Sequence, residues 1–291
     1  MNKHKVGVLG ATSMVGQHTI ERLVASGYSV CAFSRSKVER TTSAQVSWHT
    51  LDASKVEEPT QVLLSWVCLC PIWAIAEHFE LIKSSGVRRI VALSSTSRFT
   101  KTFDAGSRDV SEHALAQRLE EGERVLSQWA AQNEIEWVIL RPTLIYDLVK
   151  DKNVAQVAAF IQQYGFFPLL GKAQGLRQPV HVSEVAEAIF AAMRAPGAAN
   201  GDYNISGGET MTYRQMVERI FNWLGQEPKF VHVPMTLFSI AIYLFRIFPR
   251  YRHLSNAMVR RMNQDMVFDH DKAKRDFGYT TGRFLSAEKR K

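Results

Sequence analysis

Cysteine is scarce in this chain of 291 residues, which has three: Cys31, Cys68 and Cys70. All lie in apolar runs, and no Cys or His spacing suits a metal, so no metal site is expected. A sparse, odd set of thiols gives no disulfide framework and fits a reducing, cytoplasmic setting. Cys68 and Cys70 are two residues apart and would face one side of a strand as small core residues. Met1-Asn2-Lys3-His4-Lys5 runs straight into a strand, so no secretion signal is expected. No apolar run has the roughly 20 residues that a bilayer-spanning helix needs. The longest, Met235–Phe248, is broken only by Thr236, Ser239 and Arg246 and would make a helix of about 21 Å. Zinc-finger spacings and Arg-Lys runs are absent too, so nucleic acid is not an expected partner. Acidic residues are in the minority: 28 against 36 Lys and Arg, a net charge of +8. That balance suits an anionic ligand such as a nucleotide phosphate, or an anionic membrane surface.

What is present is enough apolar material, 46% of residues, for a sizeable core. Strand-like runs at Val6–Leu9, Ser29–Phe33, Val46–Trp48, Trp66–Cys70, Arg89–Leu93 and Trp137–Leu140 alternate with helical patterns. The helical patterns cover Val15–Ser26, Ile72–Ser85 and Ser111–Gln132. Such alternation predicts a parallel sheet with helices on both faces. Runs such as Val-Cys-Leu-Cys are apolar on consecutive residues, as strands covered on both faces are.

The texture changes after Arg141-Pro142. A helix over Val154–Tyr164 precedes an irregular stretch, Gly165–Gln178, and a second helix covers Ser183–Arg194. A short strand at Tyr203–Ile205, a helix from Thr212 (its N-cap) to Leu224, and a strand at Phe230–Val233 follow. The fold class expected is α/β, a Rossmann-type doubly wound parallel sheet with a smaller C-terminal substrate-binding subdomain. Residues 1–145 would form the dinucleotide-binding core. Residues 146–291 would be mixed, with the subdomain packed on that core.

The most informative stretch is Val6 to Gly16. A buried strand ends at Gly10, turns through Ala11 and Thr12, and enters a helix at Ser13-Met14-Val15-Gly16. A strand, tight turn and helix aim backbone N–H groups and a positive helix end at one point, which suits a pyrophosphate. Ser13 stands where the usual fingerprint has its middle glycine. Gly10, Thr12, Ser13, Met14, Val15 and Gly16 are therefore the candidate cofactor residues. The second strand ends in Ser34-Arg35-Ser36, with no carboxylate to hold an adenosine ribose. Arg35 can pair with a 2′-phosphate and both serines can donate to it, which favours NADP(H) over NAD(H). Asp52, after the third strand, could accept from the adenine amine.

Several motifs, taken in order, resemble those of the extended or atypical short-chain dehydrogenases/reductases, the epimerase/dehydratase-like group. They are Gly10–Gly16, Leu93-Ser94-Ser95-Thr96, Leu140-Arg141-Pro142-Thr143-Leu144-Ile145-Tyr146, Val180–Ala186, Tyr203–Gly208 and Phe277-Gly278-Tyr279. The resemblance covers most of the chain. It implies a nicotinamide cofactor lying along Cys70, Pro71, Ser94 and Pro142, and a small-molecule substrate. Ser95 and Thr96 would hydrogen-bond a substrate oxygen. A family-typical homodimer would form through the helices at Ile72–Ser85 and Ser111–Gln132.

The family's chemistry uses a tyrosine, and a lysine four residues later, on the helix after the fifth strand. Here that helix begins Ser111-Glu112-His113-Ala114-Leu115-Ala116-Gln117-Arg118-Leu119-Glu120-Glu121-Gly122-Glu123 and holds neither. With Glu123 matched to the family's later glutamate, Leu115 and Leu119 take the two positions. His113, with Gln117 four residues on, is the remaining candidate acid or base. Arg141 reads equally as a cleft residue or as a structural ion-pair partner. His181 reads as structural, and Arg177 and Gln178 could reach a substrate phosphate.

The resemblance leaves two functions open. One is an NADPH-dependent oxidoreductase or nucleotide-sugar-modifying enzyme with non-standard proton transfer. The other is a non-catalytic binding protein, as are some relatives: redox-sensing regulators and the nucleotide-binding accessory subunit of respiratory complex I. Met235–Phe248, followed by Arg250, Arg252, His253, Arg260 and Arg261, would be a lid helix or a peripheral membrane contact.

Overall fold

The structure, a computed structural model, describes residues 5–36, 43–51, 61–100, 110–233 and 262–286. Asp52 and the Met235–Phe248 segment lie outside these residues. Two compact units emerge. The first takes residues 1–143, 182–205 and 269–280, and the second takes 144–181, 206–268 and 281–291. The second half of the chain thus returns twice to the first unit.

The first unit is built on a parallel sheet of seven strands. They are β1 (Lys5–Leu9), β2 (Ser29–Ser34), β3 (Val46–Thr50), β4 (Ser65–Cys68), β5 (Arg89–Leu93), β6 (Glu136–Pro142) and a late strand, Gly201–Ile205. The late strand lies at one edge, beside β6, and β3 lies at the other. From β1 the chain steps first towards β2 and β3. It then returns to the far side of β1, where β4, β5 and β6 follow in order. The crevice outside the strand ends at such a reversal is where ligands bind in doubly wound sheets.

Two helices, α1 (Met14–Ala25) and a later one over Val182–Arg194, pack together in this unit. A 3-10 helix over Ile72–His78 packs with the long helix Val110–Gln132. Gly122 permits that second contact, since a Cβ there would come within 2.8 Å of the Trp73 backbone nitrogen. The core between them includes Leu9, Phe33, Trp66, Ile72, Ile75, Ile90, Leu119, Leu126 and Ile139.

Two sequence expectations shift here. The β4 strand ends at Cys68, so Cys70 is not a strand residue on the same face. The reason is register: Cys68 pairs with Leu9, the last residue of β1, and the Leu69 N–H takes the Leu9 carbonyl as β1 turns away. The helix expected over Ile72–Ser85 is the 3-10 helix followed by a short α-helix, α2 (Phe79–Ser84). Another short helix, α3 (Ser97–Thr100), precedes the long one, α4 (Val110–Gln132).

Among the described residues, the second unit holds three small sheets and two helices. Its elements are β7 (Ile145–Tyr146), α5 (Val154–Tyr164), β8 (Phe167–Leu170), β9 (Leu176–Arg177) and β10 (Val180–His181). In chain order α6 (Val182–Arg194) and β11 (Gly201–Ile205) then serve the first unit. The remaining elements are β12 (Met211–Thr212), α7 (Tyr213–Trp223), β13 (Phe230–Val233) and, in the first unit, α8 (Asp271–Phe277).

The stretch expected to be irregular, Gly165–Gln178, therefore carries two strands. Their partners are distant in sequence: β8 pairs with β13 in parallel, and β9 with β12 antiparallel. Thr212 caps α7 as expected, in a reciprocal capping box with Gln215. Val154, Ile161, Leu169, Val217, Ile220 and Phe221 are wholly buried in this unit's core.

Candidate functional site

The β1–α1 corner is made mainly by backbone. Gly10 has φ +73°, and a Cβ there would sit 2.7 Å from the Cys70 backbone nitrogen. A Cβ on Gly16 would sit 2.5 Å from the Gly10 carbonyl oxygen. Strand, turn and helix can approach this closely only with both glycines. Ser13 has φ −66°, an ordinary extended conformation, so replacing a glycine there costs no backbone strain. Its hydroxyl is turned back to cap α1, accepting from the Gly16 N–H at 3.0 Å. Other first-turn N–H groups of α1 have no intrahelical acceptor, and the positive end of the helix dipole coincides with them. Thr12 is exposed at the turn, while Ala11, Val15 and Gly16 are buried beneath it. The corner thus fits a pyrophosphate.

At the end of β2, Ser34 is buried and Arg35 and Ser36 are exposed. The Ser36 N–H donates to Ser34 Oγ at 3.3 Å, which holds the turn. The Arg35 charge acts on Cys70 and on His78. Burial pushes the Cys70 thiol up to about 11; Arg35 pulls the other way and Glu77 reinforces the rise. His78 is held below its usual range by burial first, with Arg35 adding to this and Glu77 opposing it. Arg35 thus lies within electrostatic reach of Cys70, whose backbone Gly10 approaches closely.

The ends of β5 and β6 are organised differently. Ser94, expected beside the cofactor, donates its hydroxyl to Glu123 Oε1 at 2.6 Å. Glu123 is 3% exposed. It also receives Arg141 Nε at 2.9 Å and a second Arg141 nitrogen at 2.6 Å, together with the Arg98 guanidinium. Arg141 continues the chain to Asp202. Burial opposes the Arg141 charge, but Glu123 and Asp202 outweigh it, so its pKa rises. Of the two readings of Arg141, the structural ion-pair partner is the one realised. Thr96 donates to the Pro142 carbonyl at 3.2 Å, and Ser95 Oγ accepts from the Ser97 N–H at 3.1 Å. These hydroxyls close the strand ends on one another.

On α4, Leu119 is 5% exposed within the hydrophobic core, and Leu115 packs against the same core. His113 is half-buried two residues before Leu115.

In the second unit, Arg177 is buried and donates to the Leu176 and Gln264 carbonyls, both at 2.7 Å. Gln178 donates to Thr210 and accepts from the Phe268 N–H. Both are committed to anchoring the 262–268 segment, contrary to the expectation that they reach a substrate phosphate. His181 meets the Tyr146 ring edge-on at 5.1 Å, a structural contact. Among the described residues no His, Cys, Asp and Glu cluster could hold a metal. No described helix is long and apolar enough to cross a membrane.

The sequence did not disclose the Ser94–Glu123–Arg141–Asp202 network. Its one signal is the buried-strand position of Arg141, a charge that needs a partner.

Comparison with known proteins agrees with this architecture. The model of the NAD dependent epimerase/dehydratase family matches residues 76–206. That match begins after the β1–α1 corner. Among solved structures, the UDP-glucose 4-epimerase of Thermotoga maritima superposes with a TM-score of 0.69 at 17% identity, covering 97% of this chain and 94% of its own. The dTDP-glucose 4,6-dehydratase of Bacillus anthracis, solved in complex with NAD, gives 0.69 at 13% identity, covering 96% and 92%. Likeness at these identities establishes the fold.

Two curated relatives share a name, NADH dehydrogenase [ubiquinone] 1 alpha subcomplex subunit 9, mitochondrial. The Arabidopsis thaliana protein is 30% identical over 103 residues, 35% of this chain and 25% of the relative. The Dictyostelium discoideum protein is 24% identical over 132 residues, 44% of this chain and 36% of the relative. The matched region thus spans between a quarter and just over a third of these relatives' length.

Proposed function

We propose that this chain, an epimerase/dehydratase-like short-chain dehydrogenase/reductase by fold and family model, holds a nicotinamide dinucleotide without catalysing on it. Its role is that of an accessory subunit in a larger protein assembly. The observation that carries this reading is the α4 face. The two positions that the family's proton transfer requires are Leu115 and Leu119, and Leu119 is buried in the hydrophobic core. An aliphatic side chain has no proton to exchange and no charge with which to depress a neighbour's pKa.

The residues around it support the same reading. The serine and threonine hydroxyls at the end of β5 are tied to Glu123, to Pro142 and to their own turn. The names of the curated relatives support the assembly role.

The Gly10 turn and the first-turn N–H groups of α1 would hold the pyrophosphate. Arg35, with Ser34 and Ser36, would take a 2′-phosphate, so NADP(H) is proposed over NAD(H). The bound dinucleotide would supply a hydride carrier, and the chain would supply an oriented cradle for it.

Tryptophan-fluorescence titration tests the binding half, and NADPH oxidation over a panel of carbonyl and nucleotide-sugar substrates tests the other. NADPH is expected to bind about tenfold or more tighter than NADH, with no turnover above background. NADH binding as tight as NADPH removes the 2′-phosphate assignment. Turnover that Ser95→Ala or His113→Ala abolishes overturns the non-catalytic reading.

A further inference from the structure

A second cleft lies at the amino-terminal ends of the same sheet's strands. Helix α1 starts where β1 ends and finishes where β2 begins, so its last turn is at the end opposite the crevice. The last turn of α6 is there too, because Arg89, the first residue of β5, donates to the Ala192, Met193 and Ala195 carbonyls. Between them is an open cleft of about 490 Å³ walled by Arg22, Ser26, Gly27, Tyr28, Phe190 and Arg194.

We propose that this cleft docks a segment of a partner protein that presents an acidic side chain beside an aromatic or aliphatic one. The carbonyl ends of both helices are already satisfied. Ser26, Gly27 and Tyr28 N–H groups take those of α1, and Arg89 takes those of α6. The outward chemistry is therefore cationic and aromatic.

Phe190 carries two guanidiniums, Arg22 at 3.9 Å and Arg194 at 5.3 Å from the ring centroid. Tyr28 stands edge-on to the same ring, with centroids 5.9 Å apart. Arg22 is neutralised by Glu187 and held by Ser26. Arg194 is exposed, and among the described residues no carboxylate pairs with it. One guanidinium is thus fixed and spent, and the second is pre-positioned on a ring for a bidentate carboxylate. Gly27 has φ +85° and nothing within 4 Å of where a Cβ would stand, so an apolar side chain has room beside Tyr28.

This inference rests on the cleft's own geometry. It gives the accessory role a docking surface that leaves the dinucleotide crevice open.

The test is an NMR titration of the full chain with blocked dipeptides, acetyl-Phe-Asp-amide against acetyl-Phe-Asn-amide, with benzoate as a small-anion control. Saturable shifts at Tyr28, Phe190 and Arg194 are expected with the Asp peptide. Binding should be about fivefold or more weaker with the Asn peptide and in Arg194→Gln, and intermediate in Arg194→Lys. Shifts absent at these residues, or equal for Asp and Asn peptides, overturn the proposal. Benzoate binding as tightly as the Asp peptide also overturns it, in favour of a small-anion site. NADPH titration of Arg194→Gln keeps the two readings apart. Unchanged NADPH binding is expected, and its loss would show that the cleft belongs to the crevice's machinery.

Discussion

Restoring the missing lysine should unsettle this protein rather than awaken it. Leu119 is 5% exposed in a core that includes Ile72, Leu126 and Ile139. Leu119→Lys forfeits the burial of a leucine, roughly 1.5–3 kcal/mol. It also places an ammonium in an apolar setting, where each unit of depressed pKa adds about 1.4 kcal/mol. The nearest acid one helical turn on, Glu123, is already shared by Ser94, Arg98 and Arg141. A loss of about 4 kcal/mol near neutral pH follows, or roughly 8–16 °C in Tm at about 2–4 °C per kcal/mol. Leu119→Met, close in volume, should cost under about 1.5 kcal/mol.

The pH dependence has a definite sign. Burial lowers the new lysine's folded pKa below its unfolded one, so the unfolded state binds more protons between them. Stability therefore rises with pH through that window, and the defect shrinks as pH approaches 10. Urea denaturation of the three proteins at pH 7 and pH 10, followed by tryptophan fluorescence, measures both effects. A Leu119→Lys protein within about 1 kcal/mol of wild type would place this position in an open cleft, and the non-catalytic argument would fall with it.

Further outcomes follow from the same geometry. Gly10→Ala, whose Cβ would meet backbone at 2.7 Å in a left-handed conformation, should abolish NADPH binding in the fluorescence titration while the sheet persists by circular dichroism. Glu123→Gln strips Arg141 of its more buried partner and leaves it with Asp202, so a loss of about 3 kcal/mol is expected by urea denaturation. Replacing the pair together, by Glu123→Met and Arg141→Leu, should recover much of that loss. Cys70, with its thiol pushed up to about 11, should be alkylated slowly by iodoacetamide at pH 8 and rise in rate only towards pH 11. Because the unfolded thiol ionises nearer its ordinary value of 9.0, the Cys70 contribution to stability is lost as pH climbs between the two values.

The parallel sheet could be read from the chain because both its faces are covered. Val-Gly-Val-Leu, Val-Cys-Ala-Phe and Ile-Val-Ala are runs of consecutive buried residues, and the structure places each in an inner strand. The limits of that reading are non-local. The end of β4 is set by the turn of β1 at Gly10, not by the apolar run Leu69-Cys70 that continues past it. Phe167–Leu170 contains a proline and is flanked by glycine, and only β13, some sixty residues later, makes it a strand. The buried network is hidden for the same reason: Arg141 finds Glu123 18 residues away and Asp202 61 residues away. At the cofactor corner the opposite holds, because Gly10, Ser13 and Gly16 interact within a few residues of one another.

That difference in range bears on how binding could outlast chemistry. The corner that would hold a pyrophosphate is made of N–H groups, two glycines that let the backbone close up, and a helix dipole. Side-chain substitution elsewhere barely touches it. Proton transfer, by contrast, depends on two particular side chains one helical turn apart, and each can be replaced without disturbing the strand or helix that bears it. With leucine at both positions, the demand on them is that of a core, and Leu119 is buried accordingly. The hydroxyls at the end of β5 satisfy neighbouring groups within the protein. Ser94 on Glu123 and Thr96 on the Pro142 carbonyl are instances of that, with buried polar groups paired inside the protein. Under the proposed reading, such a protein is a rigid holder of its ligand, and its use comes from what it holds together.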